Sequence, residues 1–374
     1  MSPSTLTETL VFELITPATD RRPVYISGPF CKWLPDVEAY KMTETSPGHY
    51  ILHFPETAEL MFPFEYKYTR GGWDQVELDR YGQPQQNRMV WQHTEHVEDR
   101  ITRWQRNASI KHDHSPIIEV LSEEFYIPQL DKSRKIHVLL PHHYYEQPDR
   151  HFPVLYMTDA QNLFGEGSPY GNWQIDQELT KLAEQDRANV IIVAVDHADE
   201  ADDYDRIQEI SPYDAPKIGK GQGDLFLRFV AETLKPQIDK QYRTLPDRLN
   251  TGMGGSSVGG LLSIYAALMY PHVFGRLMIF SPTLWISSRI YFDAIHFFEP
   301  FETKIYLYGG GKEEPKTKTD NMLANIEKLN QTLVNQGFGY SRVEIKTEID
   351  PEGIHSEERW GKEFPKALDW LFNC

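Results

Sequence analysis

The stretch GMGGSSVGGLLSIYAALMYP, from Gly252 to Pro271, sets two adjacent serines among glycines and runs into an apolar segment with helical spacing. A serine on a sharp strand-to-helix turn can attack a carbonyl carbon. Small residues two positions before and after it let strand and helix approach closely. Gly255-Ser256-Ser257-Val258-Gly259 satisfies Gly-x-Ser-x-Gly, with Gly255 and Gly259 as the outer glycines. Moving the frame back by one puts Val258 where the second glycine must stand, so Ser256 fails and Ser257 is the candidate nucleophile. The backbone N–H of Val258 then faces the developing oxyanion, and the helix adds its positive N-terminal end. The competing readings are a Gly-rich helix start packed on a sheet and a phosphate cradle. A P-loop needs a lysine after its glycines, and none is present. A dinucleotide fingerprint belongs on the first strand of its unit, whereas this turn comes late in the chain.

A serine needs a histidine to take its proton, and a carboxylate to fix that histidine's tautomer. In hydrolase topology the chain order is Ser, acid, His. KIYLYGGGKEEP supplies an acid at a strand end, with Glu313 and Glu314 both eligible. RVEIKTEIDPEGIHSEERW places His355 between the last strand and the last helix. Most of the 14 histidines are surface or satisfied core residues, and position in the topology is what distinguishes His355. His142 and His143 read as loop residues, His272 as a cap or surface residue, and His197, after VIIVAVD, as a minor alternative lining the cleft. The second oxyanion donor is expected after an early strand, in PVLYMTDAQNLFGEG, from the N–H near Ala160 and Gln161. Asp159, Asn162, Arg206 and Trp285 are candidate cleft residues. Arg206 lies in DHADEADDYDRIQEISPYD, read either as a solvated acidic loop or as a cleft wall that selects the substrate.

The elements that must position these residues follow from periodicity. Residues 116–374 alternate strand-like runs (IHVLLP, PVLYM, NVIIVAV, RLMIFS, KIYLYGG, RVEIKTEI) with helix-like segments, the pattern of a mostly parallel sheet flanked by helices. Such sheets carry their sites at the carboxyl ends of the strands. Residues 1–107 instead show short alternating runs (LVFELI, PVYISG, HYILHF, FEYKYTRG) separated by turn clusters, as in a β-sandwich. From Glu95 to Ser115 the chain turns polar and charged, and 108–115 is the expected linker.

Together YMTDAQNLF, RIQEISPY, ETLKPQIDKQYRT, GGSSVGGLLSIYAALMYP, FSPTLWI, YGGGKEE and GIHSEERW resemble the esterase family of α/β-hydrolases that includes enterochelin esterases, feruloyl esterases, S-formylglutathione hydrolases and mycolyltransferases. The resemblance runs from about Pro116 to the C-terminus. It implies an α/β-hydrolase fold with Ser257 as nucleophile, Glu313 as acid and His355 as base. Relatives often carry Gly where Ala160 stands, and a Cβ there narrows the approach to the oxyanion loop. PVYISGPFCKWLPD followed by FEYKYTRGGWDQVELDRYGQPQQNR is similar to starch- and glycogen-binding β-sandwich modules of immunoglobulin-like shape. That similarity implies glycan stacking by Trp33 and Trp73. Related domains fused to hydrolases instead cover the active-site rim or form dimer contacts, with those tryptophans in the core.

Composition narrows the partners. The 374 residues exceed one small core and imply two domains. A formal net charge of −17 disfavours nucleic acid. The two cysteines, Cys31 and Cys374, form no metal or redox spacing, so neither a disulfide framework nor a metal site is expected. No cofactor is implied. MSPSTLTETLVFELITP lacks a basic n-region and an apolar h-region, and no run is long enough to span a membrane, so a cytoplasmic location is the default expectation. A homodimer is compatible with the fused β-module. The expected activity is a serine esterase acting on a small or medium acyl ester, with a carbohydrate or aromatic ester as natural choices. An acyltransferase on the same triad, and a carbohydrate-binding or scaffold protein with an inactive hydrolase fold, are the alternatives. Acidic loops and 13% aromatics suit a neutral, cationic or aromatic ester better than a polyanion.

Overall fold

The buried runs IHVLLP, PVLYM and NVIIVAV become neighbouring strands of one eight-stranded sheet in the computed structural model, which describes residues 10–18, 20, 22–55, 60–78, 85–101, 103–105, 114–187, 189–198, 203–216, 219–297, 301–315, 321–336 and 343–373. The strands are β1 (Ile117–Ile127), β2 (Lys132–Leu140), β3 (Val154–Met157), β4 (Ile191–Val195), β5 (Thr251–Ser256), β6 (Arg276–Phe280), β7 (Thr303–Gly310) and β8 (Val343–Asp350). Their spatial order is β1-β2-β4-β3-β5-β6-β7-β8. Pairing is antiparallel from β1 to β2 and from β2 to β4, and parallel from there to β8. The central strands β3, β4 and β6 are buried along their whole length, which is why they read as continuous apolar runs rather than as alternation.

Helices α1 (Ile175–Ala183), α2 (Asp203–Ile210), α3 (Gly223–Phe229), α4 (Lys235–Gln241), α5 (Val258–Met269), α6 (Arg289–Phe297), α7 (Met322–Gln336) and α8 (Glu357–Phe372) connect and cover these strands. A π-helical turn, Val230–Leu234, joins α3 to α4. Leu261, Leu262 and Ile264 of α5 pack into the main core with Val154 and Tyr156 of β3 and Leu277 of β6. Two elements depart from the sequence reading. The segment containing Arg206 is helix α2 rather than loop, because Ile207 and Ile210, one turn apart, pack against the main core. Strand β1 has an interrupted pattern, with register shifts around Ser122, so its alternation is broken.

The chain forms two compact units, Met1–Lys111 and His112–Cys374. The expected linker, 108–115, lies outside the described residues up to 113. The first unit is β-rich. Val11–Ile15 pairs antiparallel with His49–His53 and parallel with His96–Arg100, and Thr43–Ser46 extends that sheet. Tyr25–Ser27, Phe64–Thr69 and Arg88–Val90 form a second sheet. Phe12, Phe54, Phe64 and Tyr66 interlock in the core between them. The polar stretch from Glu95 is therefore partly strand, which corrects its reading as connecting chain. Asp99 accepts hydrogen bonds from Tyr66 and Tyr68 at 2.7 and 2.8 Å and pairs with Arg88 at 2.6 Å, so its charge is satisfied by the core's own hydroxyls.

Candidate active site

Gly255 of strand β5 lies where α5 folds back against the strand. A Cβ on Gly255 would stand 2.9 Å from Gly259 C, and one on Gly259 would stand 2.5 Å from Thr158 Oγ1. Between them Ser257 has φ 54° and ψ −117°, a conformation that costs a non-glycine residue about 1–3 kcal/mol. The surroundings hold it there. Ser257 N–H donates to Phe280 O at 2.9 Å, and its carbonyl accepts from Leu261 N at 3.2 Å and Thr283 N at 3.1 Å. Val258 opens α5, so its N–H has no partner within the helix.

The acid arrives from the loop after β7 and the histidine from the loop after β8, the last strand. His355 Nδ1 lies 2.7 Å from Glu313 Oε2, and the Glu313 side chain is 3% exposed. A carboxylate on Nδ1 fixes the tautomer that leaves Nε2 free to accept a proton. The other oxygen of Glu313 accepts from Gly310 N at 2.8 Å and Ser281 Oγ at 2.5 Å. Glu314, one residue on, is exposed. Ser281 in turn accepts from Trp360 Nε1 at 2.9 Å, and the Trp360 ring meets the His355 ring edge-on at 4.8 Å. Sequence reasoning did not find Ser281 or Trp360. Their only signal is position, directly after β6 and in the first turns of α8. Ser281→Ala removes one charge-assisted hydrogen bond from Glu313. It is expected to lower kcat about tenfold, since such bonds are worth ~1.5 kcal/mol, with KM within about twofold. Steady-state kinetics on a p-nitrophenyl ester reads both.

Ser257 and His355 line one cavity of about 280 Å³. No hydrogen bond joins Ser257 Oγ to His355 among the described residues, a separation that substrate closes in many hydrolases. Asp159 and Asn162 from the turn after β3, Arg206 from α2, and Glu357 from α8 also face this cavity. Asp159 has φ 56° and holds Arg206 Nη1 at 3.5 Å, while the guanidinium lies 4.1 Å from the centre of the Tyr170 ring. Tyr170 and Glu357 were absent from the sequence reading. Two expected residues do not line the cavity. Trp285 is 37% exposed and lies outside it. Gln161 directs its side chain to the loop after β4, accepting from His197 N at 2.9 Å and donating to His197 O at 3.2 Å. Ala160 and Gln161 nonetheless begin a 3₁₀ turn, Ala160–Asn162, whose first N–H groups lack internal partners.

The other histidines fall elsewhere. His197 is buried, with Nδ1 2.6 Å from Ala198 O, and does not line the cavity. The His142 and His143 rings meet edge-on at 4.6 Å, and burial followed by neighbouring positive groups lowers both their pKa values. His272 is exposed after α5. Among the described residues no group of three or more His, Cys, Asp or Glu could hold a metal ion, and no helix is long and apolar enough to cross a membrane. In the first unit, Trp33 and Trp73 are neighbours with ring centroids 6.4 Å apart. Trp73 is 45% exposed, so neither tryptophan belongs to the buried core.

Residues 127–371 match the family described as "Putative esterase". The chain belongs to this esterase family. It is an enzyme, a carboxylic ester hydrolase of the α/β-hydrolase type. Among curated proteins it is 24% identical over 223 residues to the uncharacterized protein YbbA of Bacillus subtilis, covering 59% of this chain and 86% of that one. It is also 24% identical over 227 residues to the siderophore triacetylfusarinine C esterase of Aspergillus fumigatus, covering 56% and 75%. Among solved structures, the BES protein from Bacillus cereus superposes with a TM-score of 0.54 at 20% identity, covering 71% of this esterase and 97% of that chain, a likeness of fold.

Proposed function

We propose that this esterase works through an acyl-enzyme on Ser257, with His355 as general base and Glu313 as the acid that orients it. Ser257 Oγ attacks the ester carbonyl while His355 Nε2 takes its proton. The N–H of Val258 and those at the Ala160–Gln161 turn receive the oxyanion. His355 then returns the proton to the departing alcohol, and water repeats the sequence to release the carboxylic acid. The observation that carries this reading is the 2.7 Å contact of Glu313 with a histidine that shares a cavity with the strained Ser257. A fluorophosphonate probe is expected to label the folded protein once, on the peptide containing Ser257. Label on Ser256, or none, would overturn the assignment.

The cavity suits a small or medium acyl ester, carbohydrate or aromatic esters included. The fungal relative's activity adds siderophore esters to the panel. The adjacent, partly exposed Trp33 and Trp73 favour a second reading, in which the first unit holds glycan by ring stacking. Trp73→Ala in the full chain is then expected to abolish retardation on glycogen- or starch-containing affinity gels. Equal migration of the wild-type protein with and without polysaccharide would remove this role.

A further inference from the structure

The wall of the catalytic cavity carries a charge imbalance beside the attacking serine. Among the described residues that line it, Arg206 is the only Lys or Arg; its guanidinium is flanked by Asp159 at 3.5 Å and by the Tyr170 ring at 4.1 Å, while its buried Nε has no hydrogen-bond partner, so one cation stands against the two carboxylates Asp159 and Glu357. Glu357 faces the same space with a much weaker partner, Asn162 Nδ2 at 3.4 Å. Behind His355 stands the Glu313 carboxylate.

Glu357 is also held in place. It is the first residue of α8, two positions beyond His355, and its Cβ packs so closely on Gly171 that a Cβ there would lie 2.9 Å away. Asn162 links it to Ser168, which receives the Tyr170 N–H at 3.0 Å, so hydrogen bonds connect the carboxylate to the aromatic wall. Desolvation raises the Glu357 pKa, and the nearby Asp159 charge adds to that, while its own backbone N–H, His355 and Arg206 oppose it. A partly buried carboxylate with so little compensation gains most from a ligand that brings a positive charge.

We propose that Glu357 is a specificity-determining residue that selects esters carrying a cationic group, such as an ammonium, close to the scissile bond. This rests on the reading of Ser257 as nucleophile. Like-charge juxtaposition in the same pocket rejects anionic esters, so the two effects act together on choice of substrate.

Three benzoate esters of nearly equal size separate charge from shape: the choline ester, its neutral 3,3-dimethylbutyl isostere, and the anionic 2-sulfoethyl ester. The wild-type enzyme is expected to turn over the choline ester with a kcat/KM about tenfold above the neutral one and the anionic ester about tenfold below it, a spread that narrows with added salt. Glu357→Gln should reduce the ratio of choline to neutral ester about tenfold, whatever its effect on overall rate. Binding of the same esters to Ser257→Ala by calorimetry reads the preference without turnover. Hydrolysis of all three at similar kcat/KM would overturn the charge selection and leave the nucleophile standing. If no ester is hydrolysed, the nucleophile reading fails, and absence of a charge preference in the calorimetry then overturns this inference as well.

Discussion

Ser257→Ala is expected to lower kcat on short p-nitrophenyl esters by about 10⁴–10⁶-fold, the range seen when a hydrolase loses the nucleophile that its whole triad serves. The residual rate comes from the oxyanion donors and binding alone, which keep ~10³–10⁴ over water. The backbone should survive, because the turn is held by Phe280 O, Leu261 N and Thr283 N rather than by the hydroxyl. Alanine also keeps the Cβ that makes φ 54° unfavourable. Ser257→Gly, equally inactive, should therefore be more stable than Ser257→Ala by about 1 kcal/mol. Steady-state rates and thermal melts of both variants test the two statements. Full activity in Ser257→Ala would refute the nucleophile. Equal melting temperatures would refute the strain.

The second large effect concerns the acid. Glu313→Gln keeps the size of the side chain but can present an N–H to His355 Nδ1, which favours the wrong tautomer. The expected loss in kcat is about 10⁴-fold, as for the equivalent change in a serine protease triad. Glu314→Gln changes an exposed residue and should stay within about twofold. Measuring the two side by side decides which carboxylate acts. A large loss in Glu314→Gln with Glu313→Gln near wild type would reverse the assignment.

The parts of the site that were legible in the sequence are those where chemistry restricts local residue type. Gly255 and Gly259 are legible because the approach of α5 to Gly255, and of Thr158 to Gly259, leaves no room for a Cβ. His355 is legible because hydrolase topology puts the base after the last strand. The strands of the parallel sheet are legible because both their faces are buried. The illegible parts depend on partners distant in the chain. Helix α2 looks like an acidic loop until Glu209 is paired with Arg134 at 3.0 Å and buried. The strand His96–Arg100 looks like solvated linker until Asp99 meets the tyrosines of another strand.

By itself the sequence determined the strand–helix alternation from IHVLLP onward, apart from helix α2, the register that makes Ser257 rather than Ser256 the candidate, and the two loops that must supply acid and base. Each is set by neighbours within a few residues, through periodicity, glycine spacing and chain order. Only the tertiary structure decided between Glu313 and Glu314 as the carboxylate against His355. Adjacent residues after a strand point in different directions, and only the fold shows which one meets Ser281 and His355. The same holds for the cavity wall. Trp285 left it, while Tyr170 and Glu357 entered it, because a wall is assembled across long stretches of chain by packing that local sequence does not encode.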